Sequence, residues 1–77
     1  MTNELRNLLA DVFEVRPESI SDKDTYETIK NWDSLRHLQM VMAIEQRYNL
    51  QVDSEQIPNI KSVADIVQLV ERAGQQH

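Results

Sequence analysis

Cysteine is missing from this 77-residue sequence, which excludes both a disulfide framework and a thiolate metal site. A single glycine is too few for the glycine-rich phosphate loops of nucleotide-binding proteins. No apolar run approaches the roughly 20 residues of a membrane-spanning helix, and residues 1–7 lack the basic and apolar regions of a signal peptide. We therefore expect one small cytoplasmic domain with no membrane-inserted segment.

Positive charge is also scarce in this sequence. Eight Lys and Arg residues stand against thirteen Asp and Glu residues, which gives a formal net charge of −5. Nucleic acid is a polyanion that requires a basic surface, so it is not expected as a partner. The acidic excess is uneven, because residues 1–15, 16–33 and 49–77 each sum to −2, whereas residues 34–48 sum to +1.

The first apolar period lies close to the N-terminus. Its spacing predicts an amphipathic helix over about residues 3–15, with Thr2 or Asn3 as the N-cap. Pro17 restricts the preceding residue away from helical conformation and should limit the end of the helix. The apolar positions that define the period are Leu5, Leu8, Leu9, Val12 and Phe13.

Residues 16–33 show no sustained periodicity and predict a long ordered loop, with room for one helical turn near residues 17–20. A loop of this length needs apolar anchors. The expected anchors are Ile20, Tyr26 and Ile29. Trp32, at the end of the loop, is expected to pack against the core.

A second helix is predicted from Asp33-Ser34 to about Tyr48, with Asp33 as its N-cap. Its apolar residues cover an arc too wide for one buried stripe. This width indicates either burial against more than one neighbour or an exposed apolar face kept for a partner. The residues concerned are Leu35, Leu38, Met40, Val41, Met42, Ile44 and Tyr48.

The remaining chain predicts a short helical segment and a closing helix. The residues before Pro58 allow one or two helical turns. The last helix is expected to begin after Lys61, with Ser62 and Asp65 as its capping residues, and to stop at Gly74. The prediction is a single domain over residues 1–77, with its core at about 3–73 and a flexible tail at 74–77.

Asp33-Ser34-Leu35 is the most informative tripeptide. It places a serine hydroxyl at the start of a helix, where unpaired N–H groups and partial positive charge favour a phosphate ester. The same three residues also suit an ordinary helix cap. The tripeptide alone therefore allows both a modified serine and a simple cap.

The wider context favours the modified serine. The order of elements and the stretch NWDSLRHLQMVMAIEQRYNLQVDSEQI resemble the acyl carrier protein family over about residues 3–73. The resemblance implies an all-α, antiparallel four-helix bundle with a long loop between the first two helices and a short third helix. It also implies that Ser34 receives 4′-phosphopantetheine from coenzyme A through a separate Mg²⁺-dependent phosphopantetheinyl transferase. Acyl cargo would then be held as a thioester on this arm by a monomeric carrier that is not an enzyme.

The resemblance also assigns a partner-recognition role to residues around Ser34. Asp33 and Leu35 would support recognition of the modified serine by the transferase and by enzymes that load and transfer acyl groups. Met42 fits the partner face and the core equally well. The second helix would present Arg36, Leu38, Gln39, Met42 and Glu45 to partners. If acyl chains are sequestered, the pocket would be lined by Ile44, Ile57 and Val63.

The sequence departs from the family pattern at several positions. Asn31 stands where many carriers have glycine, and Arg36 and Gln39 stand where many carry acids. We therefore expect a specialised carrier for a lipid, polyketide or surface-polysaccharide pathway, rather than one that serves housekeeping fatty-acid enzymes with basic docking patches. Two alternatives remain. One is an unmodified helical interaction domain, and the other is an aminoacyl or peptidyl carrier, against which Asp33 argues.

Two other constellations do not predict a site. His37 lies three residues after Ser34, but no nucleophile elbow or oxyanion hole accompanies the pair, so a surface histidine is expected. Asp22 and Asp24 imitate the start of a calcium loop. The position that requires glycine there is Glu27, so no metal site is predicted.

Overall fold

The computed structural model describes residues 1–75, and of Gln75 only the backbone. This part of the chain forms three α-helices, α1 (Asn3–Phe13), α2 (Ser34–Tyr48) and α3 (Val63–Gln75), with 3₁₀ turns at Pro17–Ser19 and Ile57–Asn59. The all-α class is confirmed. The expected short third helix is only a 3₁₀ turn, since Pro58 has no N–H with which to continue a helical ladder. None of the described helices is long and apolar enough to cross a membrane.

Helix α1 begins as predicted but ends earlier. The Thr2 hydroxyl accepts a hydrogen bond from the Leu5 backbone N–H at 3.2 Å, which identifies Thr2 as the N-cap. The helix ends at Phe13 because Glu14 takes a left-handed conformation, with φ 54° and ψ 47°, and its N–H returns to the Ala10 carbonyl. The chain therefore turns before the restriction imposed by Pro17 takes effect.

Helix α3 also begins at the predicted cap. The Ser62 hydroxyl accepts from the Asp65 N–H at 3.1 Å, and the Asp65 carboxylate accepts from the Lys61 N–H at 3.0 Å. The predicted stop at Gly74 is wrong, because α3 continues through Gly74 to Gln75. A side chain at position 74 would have no atom within 4 Å, so no neighbouring residue obstructs the helix at this position. The remainder of the predicted tail, residues 76–77, lies outside the described residues.

All three helices and the long loop contribute to one apolar core. From α2 the core takes Met40, Val41 and Ile44, which lie on the side opposite Leu35. The loop contributes Ile20, Ile29 and Trp32, so these residues act as the predicted anchors. The full set of buried apolar residues is Leu5, Leu9, Ala10, Phe13, Ile20, Ile29, Trp32, Met40, Val41, Ile44, Val52, Ile60, Val63 and Ile66.

Tyr26 is not a loop anchor in the way predicted, since its side chain remains 49% exposed. The backbone holds this part of the loop instead. The Tyr26 N–H donates to the Lys61 carbonyl at 3.0 Å, and the Val63 N–H donates to the Asp24 carbonyl at 2.9 Å. The loop is thereby attached to the start of α3, next to the first turn of α2.

Tyr48 is the second tyrosine, and its hydroxyl is buried without a hydrogen-bond partner among the described residues. Burial raises the pKa of Tyr48 above its ordinary value of 10.0, and the Glu4 carboxylate raises it further. Thr2 and Arg47 oppose this pKa shift, although the Thr2 hydroxyl does not reach hydrogen-bonding geometry. The folded state therefore retains the phenol proton more tightly than the unfolded state does.

We expect Tyr48→Phe to leave the free energy of unfolding at pH 7 unchanged or to raise it by up to about 1 kcal/mol, because it removes an unpaired buried hydroxyl. Since the folded-state pKa is raised, the contribution of Tyr48 is complete below pH 10 and declines as pH rises through that pKa. The variant should lose less stability than the wild type between pH 9 and about pH 11. Urea unfolding at pH 7, pH 9 and about pH 11 measures this, with Tyr26→Phe as the matched control. A destabilised variant at pH 7 would show that the hydroxyl has a partner.

Candidate modification site at the start of α2

Ser34 is the first residue of α2, and its side chain is exposed. Asp33 caps the helix in an extended conformation, with φ −112° and ψ −175°, and its carboxylate accepts from the Arg36 N–H at 2.8 Å. The Asp33 carbonyl accepts from the His37 N–H at 2.8 Å. The backbone N–H groups of Ser34 and Leu35 precede the helical ladder and point out of the helix end. A hydroxyl at this position has partial positive charge beside it and access to solvent.

A buried aromatic pair supports this first turn from below. The Trp32 ring lies against Phe13, with centroids 4.9 Å apart and planes tilted by 31°. The Trp32 indole N–H donates to Nδ1 of His37 at 2.9 Å, and Nε2 of His37 lies 2.7 Å from the Ile57 carbonyl oxygen. Because an indole N–H is only a donor, Nδ1 must accept and Nε2 must carry the proton.

His37 is therefore a half-buried bridge between the loop, α2 and the Ile57–Asn59 turn. The prediction of a surface histidine is wrong. The sequence neighbours of His37 could not indicate its contact with Ile57, because the two residues are twenty positions apart. Both ring nitrogens are occupied by Trp32 and Ile57. The imidazole has no nitrogen left to take a proton from Ser34, which agrees with the absence of a catalytic role.

We expect His37→Ala to lower the free energy of unfolding by about 1–3 kcal/mol, because it leaves the buried Trp32 N–H without an acceptor. Trp32 is the sole tryptophan, so its fluorescence in a urea titration reports directly on this site. Gln39→Ala, at an exposed position of the same helix, should change stability by no more than about 0.5 kcal/mol. Equal stability of the two variants would show that the bridge contributes nothing.

An open groove with a volume of about 620 Å³ begins beside Ser34 and runs between α2 and the Ile57–Asn59 turn. Of the three residues expected to line an acyl-chain pocket inside the bundle, Ile57 lies in the wall of this open groove. Ile44 and Val63 do not line it, because both are fully buried in the core. The residues around the groove are Tyr26, Trp32, Asp33, Ser34, His37, Leu38, Ser54, Ile57, Pro58, Ile60 and Lys61.

The outer side of α2 carries three exposed apolar side chains. Leu35 is 65% exposed, Leu38 50% and Met42 67%. Met42 is therefore a surface residue and not a core residue, whereas Met40 is fully buried. Gln39 lies on the same outer side and is exposed. The wide apolar arc predicted from the sequence thus divides into a buried half and an exposed half.

Arg36 and Glu45, also predicted to meet partners, turn toward their own chain. The Arg36 guanidinium donates to the Val12 carbonyl at 2.9 Å and to the Glu14 carboxylate at 3.0 Å, and its side chain is only 26% exposed. The Glu45 carboxylate accepts from the Val52 N–H at 2.9 Å. The sequence offers no signal for the Arg36 contacts, because 22 and 24 positions separate the partners.

Comparison with known proteins shows which family the chain is similar to. Residues 3–70 match the family model described as the phosphopantetheine attachment site. The chain is 34% identical to an acyl carrier protein from Helicobacter hepaticus over 67 residues, covering 87% of this chain and 82% of the relative. It is 32% identical to an acyl carrier protein from Coprothermobacter proteolyticus over 68 residues, covering 88% of this chain and 83% of the relative.

A solved structure supports the fold. The solution structure of a holo acyl carrier protein from Geobacter metallireducens superposes with a TM-score of 0.79 at 23% identity. The match covers 96% of this chain and 90% of that one.

The start of α2 suits the prosthetic group of this family. The exposed Ser34 hydroxyl lies at the start of α2 beside an open groove, and a helix N-terminus favours the negative charge of a phosphodiester. The cofactor is accordingly 4′-phosphopantetheine, and the chain is a carrier and not a catalyst. From the family-model match and these relatives we conclude that the chain belongs to the acyl carrier protein family.

Proposed function

We propose that Ser34 bears 4′-phosphopantetheine and that this protein carries acyl groups as thioesters between partner enzymes. The observation that carries the proposal is the position of Ser34, an exposed hydroxyl on the first residue of α2. The names of the relatives from Helicobacter hepaticus and Coprothermobacter proteolyticus support it. The partners are a phosphopantetheinyl transferase and the enzymes that load and remove acyl groups, which the carrier meets as a cytoplasmic monomer.

The residues of the chain have limited chemical roles in this function. Ser34 supplies the oxygen that attacks the pantetheine-side phosphorus of the coenzyme A diphosphate, and the diphosphate bond breaks so that the adenosine bisphosphate half leaves. The unpaired N–H groups at the start of α2 stabilise the negative charge of the resulting phosphodiester. Asp33 holds these groups in place through its bond to the Arg36 N–H. Since His37 is engaged by Trp32 and Ile57, it does not take the Ser34 proton, and we assign that role to a base of the transferase.

The groove beside Ser34 is suited to bind the arm and a short cargo. Leu38, Ile57 and Ile60 provide apolar contact, and the Trp32 ring lies at the inner wall. Ile44 and Val63 are fully buried in the core and do not line the groove. A cargo that stays in the groove therefore needs no opening of the core.

We further propose that the carrier serves dedicated partners in a specialised lipid, polyketide or surface-polysaccharide pathway. The charge of α2 supports this proposal, because residues 34–48 sum to +1 in a chain whose total is −5. A basic docking patch would find no acidic helix to bind. The carrier should therefore be a poor substrate for housekeeping fatty-acid synthase components. Equal efficiency with a housekeeping carrier would contradict the specialised role.

The experiment that tests the attachment is an intact-mass measurement. The purified chain is incubated with coenzyme A, Mg²⁺ and a broad-specificity phosphopantetheinyl transferase, beside a control carrier. We expect the mass to rise by one phosphopantetheine group. No gain, under conditions that load the control, would favour an unmodified helical interaction domain. Subsequent loading with aminoacyl but not with acyl groups would favour the aminoacyl or peptidyl carrier.

A further inference from the structure

We propose that a hydrogen-bonded bridge of Trp32, His37 and Ile57 separates the groove beside Ser34 from the core and thereby limits the cargo of this carrier to short acyl groups. The bridge consists of the Trp32 indole N–H, the His37 imidazole and the Ile57 carbonyl. The inference rests on the proposed function, because it concerns acyl groups attached through Ser34. It makes His37 a residue that determines specificity for the length of the cargo.

The aromatic half of the bridge lies between the groove and the core. Trp32 and His37 both line the groove, and their rings are stacked with centroids 5.9 Å apart and planes inclined by 22°. The Trp32 side chain is buried and packs against the fully buried Phe13. Because the Trp32 ring contacts the groove and the core at once, an acyl chain directed from Ser34 toward the core meets these two rings first.

The other half of the bridge joins the two walls of the groove. His37 belongs to α2, and Ile57 is the first residue of the turn that forms the opposite wall. The Ile57 carbonyl accepts from Nε2 of His37 at 2.7 Å and from the Ile60 N–H at 3.2 Å. Separation of α2 from the turn would therefore break the bond to the imidazole. The bridge thus opposes a widening of the groove toward the core.

Passage of a long chain would break bonds that the chain cannot replace. Within the described residues the Trp32 N–H donates to Nδ1 of His37, and a buried donor that loses its acceptor is unfavourable. The methylene groups of an acyl chain offer no acceptor. Ile44 and Val63, deeper in the core, are fully buried, and close packing means that a chain would have to displace such side chains. A short acyl group in the groove requires none of these changes.

The test compares acetyl and decanoyl groups on the full chain, loaded from the corresponding acyl-coenzyme A by a broad-specificity transferase and verified by intact mass. A decanoyl chain inside the core would stabilise the folded state, because it would bind that state alone, and would shield its thioester from hydroxylamine. We expect neither effect in the wild type. The Tm values of the two acyl forms should agree within about 2 °C, and their reaction rates with hydroxylamine within about twofold.

Two substitutions at His37 test the bridge itself. His37→Ala removes the imidazole and opens a passage, so the decanoyl form should have a Tm at least about 5 °C above that of the acetyl form. His37→Gln retains one acceptor and one donor on its amide, and its two acyl forms should again agree within about 2 °C. The lower basal stability of His37→Ala is common to both of its acyl forms, so their difference reports on the passage. Gln39→Ala, at an exposed position of the same helix, is the matched control and should behave as the wild type.

The possible outcomes separate this inference from the proposed function. Failure of the wild type to gain mass from coenzyme A would contradict the proposed function itself. Normal loading, with a decanoyl form that is stabilised or protected from hydroxylamine in the wild type, would overturn only the barrier. Equal Tm values for the two acyl forms of His37→Ala would overturn the role of His37, since the barrier would then lie elsewhere.

Discussion

Ser34→Ala should abolish the addition of phosphopantetheine completely, because the substitution removes the only atom through which the arm is proposed to be attached. The fold should not change, since the Ser34 side chain is exposed and Asp33, not Ser34, caps α2. Alanine is also a good helix former at an exposed position, so stability should stay within about 0.5 kcal/mol of the wild type. Intact-mass measurement after incubation with coenzyme A and transferase gives the result directly.

Ser54→Ala is the matched control for this experiment. Ser54 lines the same groove and carries an exposed hydroxyl, but it does not lie at the start of a long helix. This variant should gain the same mass as the wild type. A mass gain that persists in Ser34→Ala, or disappears in Ser54→Ala, would place the attachment site elsewhere. Retained stability in both variants, measured by thermal unfolding, ensures that a lost signal reflects chemistry and not misfolding.

Phe13→Ala should produce the largest loss of stability among the substitutions considered, about 3–5 kcal/mol. Phe13 is fully buried at the end of α1 and is in contact with Trp32, so its removal leaves a cavity beneath the modification site. At roughly 0.05–0.15 kcal/mol per residue, a chain of this length has a total stability of about 4–12 kcal/mol. The loss is therefore a large share of the total, and Tm should fall by about 12 °C or more.

The measurement is urea unfolding followed by Trp32 fluorescence, which senses the cavity and the global transition together. Tyr26→Ala is the control, because it removes an aromatic ring of similar size that is half exposed on the loop. Its effect should stay below about 1 kcal/mol. A loss of less than about 1 kcal/mol in Phe13→Ala would mean that α1 and the loop are not packed as described.

The positions of the helices followed from local patterns. The apolar periods of α1 and α3 and the caps at Thr2, Asp33 and Ser62 were visible because capping and periodicity depend on residues three or four apart. The errors lie at the helix ends. Glu14 ends α1 early through a left-handed conformation, and α3 continues through Gly74. Neither end has a strong local signal, since Glu is not a usual left-handed residue and Gly tolerates a helix.

Part of the candidate site was predictable because it too depends on residues three or four positions apart. The Asp33-Ser34 cap is local, so the exposed hydroxyl at the helix start could be inferred before the structure. The contacts that Trp32 and His37 make beneath this hydroxyl could not be inferred from the sequence. Trp32 is linked to Phe13, and His37 to Ile57, across about twenty residues of chain. Contacts of that separation depend on how the loop returns to the helices, and no short pattern encodes them.

Amino-acid composition and local pattern thus established an acidic, cysteine-free helical domain with a serine at the start of its second helix, and the family resemblance added the expectation of a carrier. Only the packing of α2 against α1 and α3 determined what that helix shows to solvent. The sequence left Met42 open between the core and a partner face, and it placed Arg36 among the residues that meet partners. Packing buried Met40 in the core. It also brought Arg36 to the end of α1, where the guanidinium binds the Val12 carbonyl and the Glu14 carboxylate. The exposed side of α2 therefore presents Leu35, Leu38 and Met42 to solvent.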